Sequence, residues 1–499
     1  MKILSSKQMY QADLATIQKK PILSLNLMEH ASLLCFNWIS NYLTNKNQII
    51  HIFCGIGNNG GDGLVIARKL IQNKYEVKTY IVNFSNKRSD DFIVNYNRLL
   101  KLKHKPNEIN SFDDFPLIKN NELIIDAIFG IGLSRSPEGF VKELIQCINE
   151  SNTNTISIDL PSGLFSESHV FDTDAVVRST EVLTFQNPKI AFLIPDNQKY
   201  IKNWHVLDIG LDQDEINSME TNYYIIDKSK IRSIYTKREK FSHKGTFGHS
   251  LIIGGSYGKI GAVVLASKAA LKIGSGLVTA YIPKCGYEIV QTSIPEVMVE
   301  VDAEEQLEFF NYKSKATVIG IGVGIGTGEK TCIGFRKFLK ENRLPLIIDA
   351  DGLNILAKHN ELLSLIPENS VLTPHPQEFK RLVGKWKNDY EKIEKLIEFS
   401  SNIDCVIVLK GAYTAIAFQN KIYFNTTGNP ALATAGSGDV LTGIITGLIA
   451  QKHSPLNAAI LGVYLHGKTA DIAIENNQSM ETFTASDCID YFGKVFKGL

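Results

Sequence analysis

Gly436-Ser437-Gly438-Asp439 joins a run of small residues to a carboxylate at a place where both can act. The stretch from Gly428 to Gly443 follows a strand-like run, Lys421 to Asn425, and leads into an apolar helical pattern from Asp439 to about Ala450. That order puts Gly436, Ser437 and Gly438 at a helix N-terminus. Free backbone N–H groups there form an anion site, and Asp439 in the first turn offers a base beside it. A hydroxyl attacking a phosphoryl group needs this pair: amides stabilise the charge that develops while the carboxylate takes the hydroxyl proton. Lys410, at the end of a strand-like run, could reach a phosphate, and His375 beside Glu378 could bind substrate or move a proton. Each has a plainer reading. Ser437 or Asp439 could simply cap a helix, Lys410 could carry its ammonium to solvent, and His375 could start a helix without further function.

The other half of the chain has its own glycine cluster. Ile49 to Cys54 is strand-like and runs into Gly55-Ile56-Gly57-Asn58-Asn59-Gly60-Gly61-Asp62-Gly63, then a helix from Leu64 to Asn73. Gly55, Gly57 and Gly60 satisfy the GxGxxG dinucleotide fingerprint, which also expects an acidic residue roughly 20 positions on to hold a ribose. Here the second strand, Val77 to Val82, ends in Asn83-Phe84-Ser85, so a conventional nicotinamide dehydrogenase loses ground. Further strand-like runs, Leu123 to Phe129 and Thr155 to Leu160, alternate with a helix near Phe140 to Asn149. This is the pattern of a parallel sheet covered on both faces, with ligands at the strand C-termini. At those ends lie Asp126, the turn Gly130 to Ser136, and Asp159-Leu160-Pro161-Ser162-Gly163. With Asp62 they gather three carboxylates beside Gly-rich loops.

The elements that must position these groups fall into two sets. At 499 residues the chain is too long for one ordinary core. The acidic, polar stretch after Asp208 reads as a linker, giving a first domain over 1–215, a connection over 216–224 and a second domain over 225–499. The second α/β pattern opens at Ser250 to Ile253, followed by Gly254-Gly255-Ser256 and a helix from Ala262 through Lys272. Its later strand-like runs end at Gly320 to Gly326, Asp349 to Gly352, Thr373 to Glu378 and Lys410 to Thr414. No GxxxxGK[ST] phosphate loop is present, so a bound nucleotide would need a different cradle.

Composition narrows the partners. With 53 Lys+Arg against 52 Asp+Glu the formal charge is +1, which gives no reason to expect nucleic acid or an anionic membrane surface. Seven scattered cysteines without a CxxC indicate a reducing compartment. No apolar run approaches the roughly 20 residues of a membrane span, and the polar N-terminus lacks a signal-peptide core. A cytoplasmic protein acting on small molecules is expected.

Taken together, Asn58-Asn59-Gly60-Gly61-Asp62, Asp126 to Ser136 and Asp159 to Gly163 in one half, with Gly254-Gly255-Ser256, Thr373-Pro374-His375-Pro376, Lys410-Gly411 and Gly436 to Asp439 in the other, resemble the bifunctional NAD(P)H-hydrate repair enzymes over nearly the whole chain. The resemblance implies an α/β protein, with an N-terminal Rossmann-like three-layer parallel sheet domain acting as epimerase and a C-terminal ribokinase-like domain acting as ADP-dependent dehydratase. It implies that Asn58, Asn59, Gly60, Gly61, Asp62, Gly130, Ile131, Gly132, Leu133, Ser134, Arg135, Ser136 and Asp159 contact the hydrated nucleotide. Asn59, Asp126 and Ser162 would hold a potassium ion, whose taste for oxygen ligands they suit. In the second half Ala262, Gly324, His375 and Asp439 would face the hydrate, while Lys410, Gly411, Ala412, Tyr413, Thr414 and Gly438 would bind ADP or ATP, brought with magnesium. Asp439 and Asp159 are the catalytic candidates, and a homo-oligomer is expected. Two departures stand out: Gln377 replaces a glycine frequent in relatives, and Gly322-Val323-Gly324 lacks a proline associated with the family. The C-terminal motifs alone also permit a kinase of a small hydroxylated metabolite, and the N-terminal half alone a noncatalytic binding module.

Overall fold

The structure, a computed structural model, describes residues 1–20 and 22–499. Its contacts divide the chain into two compact units, one of Lys2–Thr221 with Asn388–Tyr390, the other of Met1, Asn222–Lys387 and Glu391–Leu499.

The first unit is built on seven strands: β1 (Ile50–Cys54), β2 (Val77–Val82), β3 (Asn107–Ile109), β4 (Leu123–Ala127), β5 (Asn154–Ile158), β6 (Ser179–Phe185) and β7 (Ile201–Leu207). They lie in the order β3-β2-β1-β4-β5-β6-β7 with every pairing parallel. All five residues of β1 and of β4 are buried, as a sheet covered on both faces requires. Alternate side chains choose the layer. Ile50, Ile52 and Cys54 pack with Cys35 and Ile39 of the helix Ser24–Tyr42 and with Leu64 and Ile66 of the helix Asn58–Gln72. Phe53 and Ile124 pack instead with Val141, Leu144 and Ile148 of the helix Phe140–Glu150. Strand order reverses between β1 and β4, so the loops after them border the crevice where doubly wound sheets bind ligands.

One element departs from the sequence expectation. The glycine cluster is not a loop leading to a helix at Leu64; the helix begins at Asn58, directly after Gly57. Glycine reads as a breaker, but here its missing side chain admits close packing: a Cβ on Gly60 would stand 1.8 Å from the Gly55 carbonyl oxygen. The acidic stretch near Asp212 is also ordered. Asp212 caps the helix Gln213–Ser218, Ile216 is buried, and Lys19 pairs with Asp212 and Glu215 at 3.1 Å each.

The second unit carries β8 (Tyr223–Ile225), β9 (His249–Ile253), β10 (Leu277–Ile282), β11 (Met298–Val301), β12 (Val318–Ile321), β13 (Leu346–Ile348), β14 (Val371–Leu372), β15 (Val406–Leu409), β16 (Ala415–Phe418) and β17 (Lys421–Phe424). Their order is β11-β10-β9-β12-β13-β14-β15-β16-β17-β8. The sheet is parallel except at β15-β16-β17, where two antiparallel pairings close a meander. The helix Ser437–Ala450 supplies Val440, Ile444 and Leu448 to the main core beside Val318, Ile347 and Val406, and the helices Pro455–Glu475 and Ala485–Lys497 cover it. Burying side chains of this size stabilises by about 1.5–3 kcal/mol each.

Candidate functional site

In the first unit the strand ends bring Asp126, Ser162 and the Gly130 turn together. Asp126 lies in the last register of β4, opposite Ser157 of β5, and is fully buried. Its Oδ2 accepts from Ser157 Oγ at 2.7 Å and Ser162 N at 2.8 Å; its Oδ1 accepts from Ser162 Oγ at 2.5 Å and Ile128 N at 3.3 Å. Burial nevertheless pushes the Asp126 carboxyl up, because no cation pairs with it among the described residues. Ser162 Oγ in turn accepts from Phe129 N at 2.8 Å, which ties the β4 and β5 loops into one piece. Asn59 stands against Gly130, where an added Cβ would be 3.5 Å from the Asn59 side chain, and the buried Asn59 Nδ2 has no partner. Exchanging oxygen and nitrogen of that amide, which shape alone does not distinguish, turns the orphan into an oxygen donor.

The second carboxylate group lies at the end of β5. Asp159 takes a left-handed backbone, φ 65°, a conformation Asp adopts more readily than most residues. Its Oδ1 receives Lys189 Nζ at 2.9 Å, Thr184 Oγ1 at 3.2 Å and Phe185 N at 3.3 Å. Asp62, in the helix Asn58–Gln72, accepts from Ser32 Oγ at 2.8 Å; burial, with the charges of Asp159 and Asp13, holds its carboxyl well above the usual range. Asp13, on the helix Ser6–Lys19, is pushed up to about 6 by burial and by Asp159, against the opposing pull of Lys189. Asn58, Gly132, Ser134 and Arg135 are exposed, Leu133 and Ser136 are half-buried, and Ile131 packs with Met9 and Ala12. No ion pair engages Arg135 among the described residues, so its guanidinium is free for a phosphate. The sequence reading missed Asp13 and Lys189. Lys189 had a faint signal, the Gln186-Asn187-Pro188-Lys189 turn after β6; Asp13, inside an ordinary amphipathic helix, had none.

In the second unit Gly436, at φ 84°, caps the helix Ser437–Ala450 and turns its first amides outward. A Cβ on Gly438 would stand 3.4 Å from Lys410 Nζ and 3.6 Å from Asp349 Oδ2, which locates both groups at this helix start. Lys410 Nζ pairs with Asp349 Oδ1 at 2.8 Å and approaches Glu378 Oε2 at 4.0 Å, while Thr442 Oγ1 donates to Asp349 Oδ2 at 2.8 Å. Lys410 is therefore held inside the site. Asp439 is raised to about 6, first by burial, then by Asp349 and Asp351 against the opposing pull of Lys410. Asp351 accepts from Gly326 N at 2.9 Å and lies 3.6 Å from Lys259 Nζ, so its influence links Asp439 to the glycine turn after β12. In that turn Gly324, at φ 66°, sits where an added Cβ would be 3.4 Å from the Ala262 methyl.

His375 caps the helix Pro376–Val383. Its Nδ1 accepts from Gln377 N at 3.1 Å and Glu378 N at 3.4 Å, while its own N–H donates to Glu378 Oε2 at 2.8 Å. Burial and the charges of Lys410 and Arg381 lower its pKa, which favours a neutral ring. Gln377 occupies the first turn of this helix, a position that demands no special backbone. Gly411 and Ala412 are exposed at the β15-β16 turn, where Gly411 N donates to Thr414 Oγ1 at 3.4 Å. Ser437 Oγ meets His466 Nε2 at 3.1 Å, and burial lowers His466 to about 4. The sequence reading missed His466 and the role of Thr442, both carried on apolar helices. Among the described residues no three His, Cys, Asp or Glu side chains form a metal cluster, and no helix is long and apolar enough to cross a membrane.

A doubly wound nucleotide-binding unit joined to a second α/β unit with a phosphate-type helix start defines a class of two-site proteins acting on phosphorylated small molecules. Known proteins make it particular. A family model described as NAD(P)H-hydrate dehydratase matches residues 250–491, and one described as YjeF-related protein N-terminus matches residues 24–191. The bifunctional NAD(P)H-hydrate repair enzyme Nnr of Moorella thermoacetica is 34% identical over 520 residues, covering 100% of this chain and 97% of that protein. Its namesake from Escherichia coli is 31% identical, covering 84% and 80%. A solved ribokinase-like superfamily protein from Enterococcus faecalis shares 25% identity and a TM-score of 0.50, covering 56% of this chain and 97% of its own. The chain belongs to the bifunctional NAD(P)H-hydrate repair enzyme family.

Proposed function

We propose that this protein returns hydrated NADH and NADPH to the reduced cofactor in two steps. Residues 1–215 serve as the epimerase, 216–224 as the connection and 225–499 as the dehydratase. The observation that supports the reading is a half-buried carboxylate, Asp439, in the first turn of a helix whose Gly438 lies beside Lys410 and Asp349.

A reduced nicotinamide that has added water bears a hydroxyl on the carbon beside the ring nitrogen, and hydroxide is a poor leaving group. In the dehydratase, Asp439 takes the hydroxyl proton and the oxygen attacks the terminal phosphorus of ADP or ATP. Amides of the helix start and the Lys410 ammonium stabilise the phosphoryl charge. Phosphate then leaves as the ring nitrogen donates its electron pair, and loss of a proton from the neighbouring carbon restores the ring double bond. With ADP the sum is hydrate plus ADP giving reduced cofactor, AMP and phosphate. Lys410, Gly411, Ala412, Tyr413, Thr414 and Gly438 face the nucleotide; Ala262, Gly324, His375 and Asp439 face the hydrate. Magnesium suits Asp349 and Glu378, two carboxylates of the kind that accept the ion when phosphates supply its other ligands.

In the epimerase Asp159 takes the hydroxyl proton, the carbon–nitrogen bond opens to an aldehyde as the nitrogen receives a proton, and closure on the other face reverses both transfers. Asn58, Asn59, Gly60, Gly61, Asp62 and Gly130 to Ser136 would hold the nucleotide. The oxygen-donor set of Asn59, Asp126 and Ser162 fits potassium, since the buried Asp126 carboxylate lacks a countercharge. A potassium ion there would supply it and stiffen the loops that carry Asn59 and Ser162. A homo-oligomer in the cytoplasm completes the reading.

Purified S hydrate with ADP tests the chemistry. One AMP and one phosphate for each reduced cofactor formed is the expected result. A stable phosphorylated product would instead make the second unit a small-metabolite kinase.

A further inference from the structure

We propose that Lys189 is the positioning residue of the epimerase unit: its buried ammonium fixes Oδ1 of Asp159 and leaves Oδ2 to the hydrated ring. The inference rests on the reading of Asp159 as the proton-transfer group. Lys189 is only 2% exposed. Its Nζ meets Asp159 Oδ1 at 2.9 Å, Thr184 Oγ1 at 2.8 Å, Asn187 O at 3.1 Å and Phe185 O at 3.2 Å. An ammonium has three N–H donors, so four acceptors saturate it and none remains for substrate. Lys189 therefore acts through Asp159.

Burying an ammonium is costly unless it is paired, and an apolar side chain would close the Gln186–Lys189 turn at lower cost. What the charge adds is a fixed orientation for one carboxylate among several. The charge of Asp159 is felt by Asp13 on the helix Ser6–Lys19, by Asp62 on the helix Asn58–Gln72 and by the Cys35 thiol on the helix Ser24–Tyr42. Lys189 brings a cation to this group, and among the described residues it forms an ion pair with Asp159 alone. Every protein donor to Asp159 lands on Oδ1; among the described residues Oδ2 has no partner. With Oδ1 held from three directions at a left-handed residue, Oδ2 has one direction to point, as a proton-transfer group requires.

The test uses the full-length protein and purified R hydrate, following its conversion to S by chromatography. Lys189→Met is expected to lower the epimerisation kcat about 100-fold with little change in KM, the size of effect that follows from misplacing a reacting group. Lys189→Arg, which keeps the charge, should recover part of the loss; Lys189→Gln, which keeps hydrogen bonding without charge, should not. ADP-dependent turnover of S hydrate should be unchanged in all three, confirming an intact second unit. Near-normal kcat in Lys189→Met, or equal activity of the Arg and Gln variants, would overturn the inference, and the Arg–Gln comparison decides the matter if the Met variant does not fold. Asp159→Asn separates the two layers. Wild-type epimerisation in that variant removes the reading of Asp159 itself, whereas an inactive Asp159→Asn beside an active Lys189→Met removes only the role of Lys189.

Discussion

At the scale of single residues, Asp439 couples rate and stability in opposite senses. Its carboxyl is shifted from the ordinary 3.8 up to about 6 by burial and by Asp349 and Asp351. A base must be ionised, so dehydratase kcat/KM should be flat above pH 7 and fall about tenfold per unit below 6. The sign for stability is reversed. A carboxyl whose folded pKa is raised leaves stability untouched below about 4, where it is protonated in both states, and destabilises the fold increasingly up to pH 6, in full above it. Asp439→Asn should therefore abolish turnover, keep nucleotide binding, and stabilise the protein by about 1–3 kcal/mol at pH 8. That gain should vanish near pH 4 in thermal melts; a variant less stable at pH 8 would contradict the shift. Asp439, Asp126 and Asp159 stood out in the sequence because each lies within a few residues of glycine, at or beyond the end of a strand-like run. Asp13, Thr442 and His466 did not, since the groups they answer to are remote in the chain; Lys189 did so only faintly, through the turn after β6.

At the scale of elements, the helix Asn58–Gln72 shows where sequence pattern misleads. Five glycines in the nine residues Gly55 to Gly63 would mark a loop by propensity, yet three of them lie inside the first helical turns. Close approach of this helix to the β1 and β4 ends outweighs the entropic penalty. Gly60→Ala should destabilise the first unit by about 1–3 kcal/mol, since its methyl would meet the Gly55 carbonyl, and should lower epimerisation more than tenfold. Dehydratase activity in the same protein should stay near normal. Wild-type epimerisation in Gly60→Ala would mean that the helix start tolerates a shift the geometry forbids. The helix Ser437–Ala450 was easier to place, because its interior glycines, Gly443 and Gly447, are set among Val440, Leu441, Ile444, Ile445, Leu448 and Ile449.

At the scale of the whole molecule, two parallel α/β patterns were readable from alternating strand-like and helix-like segments. The ten-stranded breadth of the second sheet was not. Its edge strand β8 has three residues, too short for a periodic signal, and joins β17 from almost two hundred residues earlier in the chain. Two chemistries in one chain follow from the substrate: water adds to either face of the ring, and a site that phosphorylates one hydroxyl orientation needs a partner activity that interconverts the two. The most direct measurement gives the purified protein a mixture of R and S NADH hydrates with ADP and follows the return of the reduced-nicotinamide absorbance, with nucleotide-free and ATP controls. Near-complete, nucleotide-dependent recovery of both epimers, faster than their spontaneous interconversion, is the expected result. Recovery that stalls at the S fraction would contradict the epimerase, and no recovery at all would contradict the repair function.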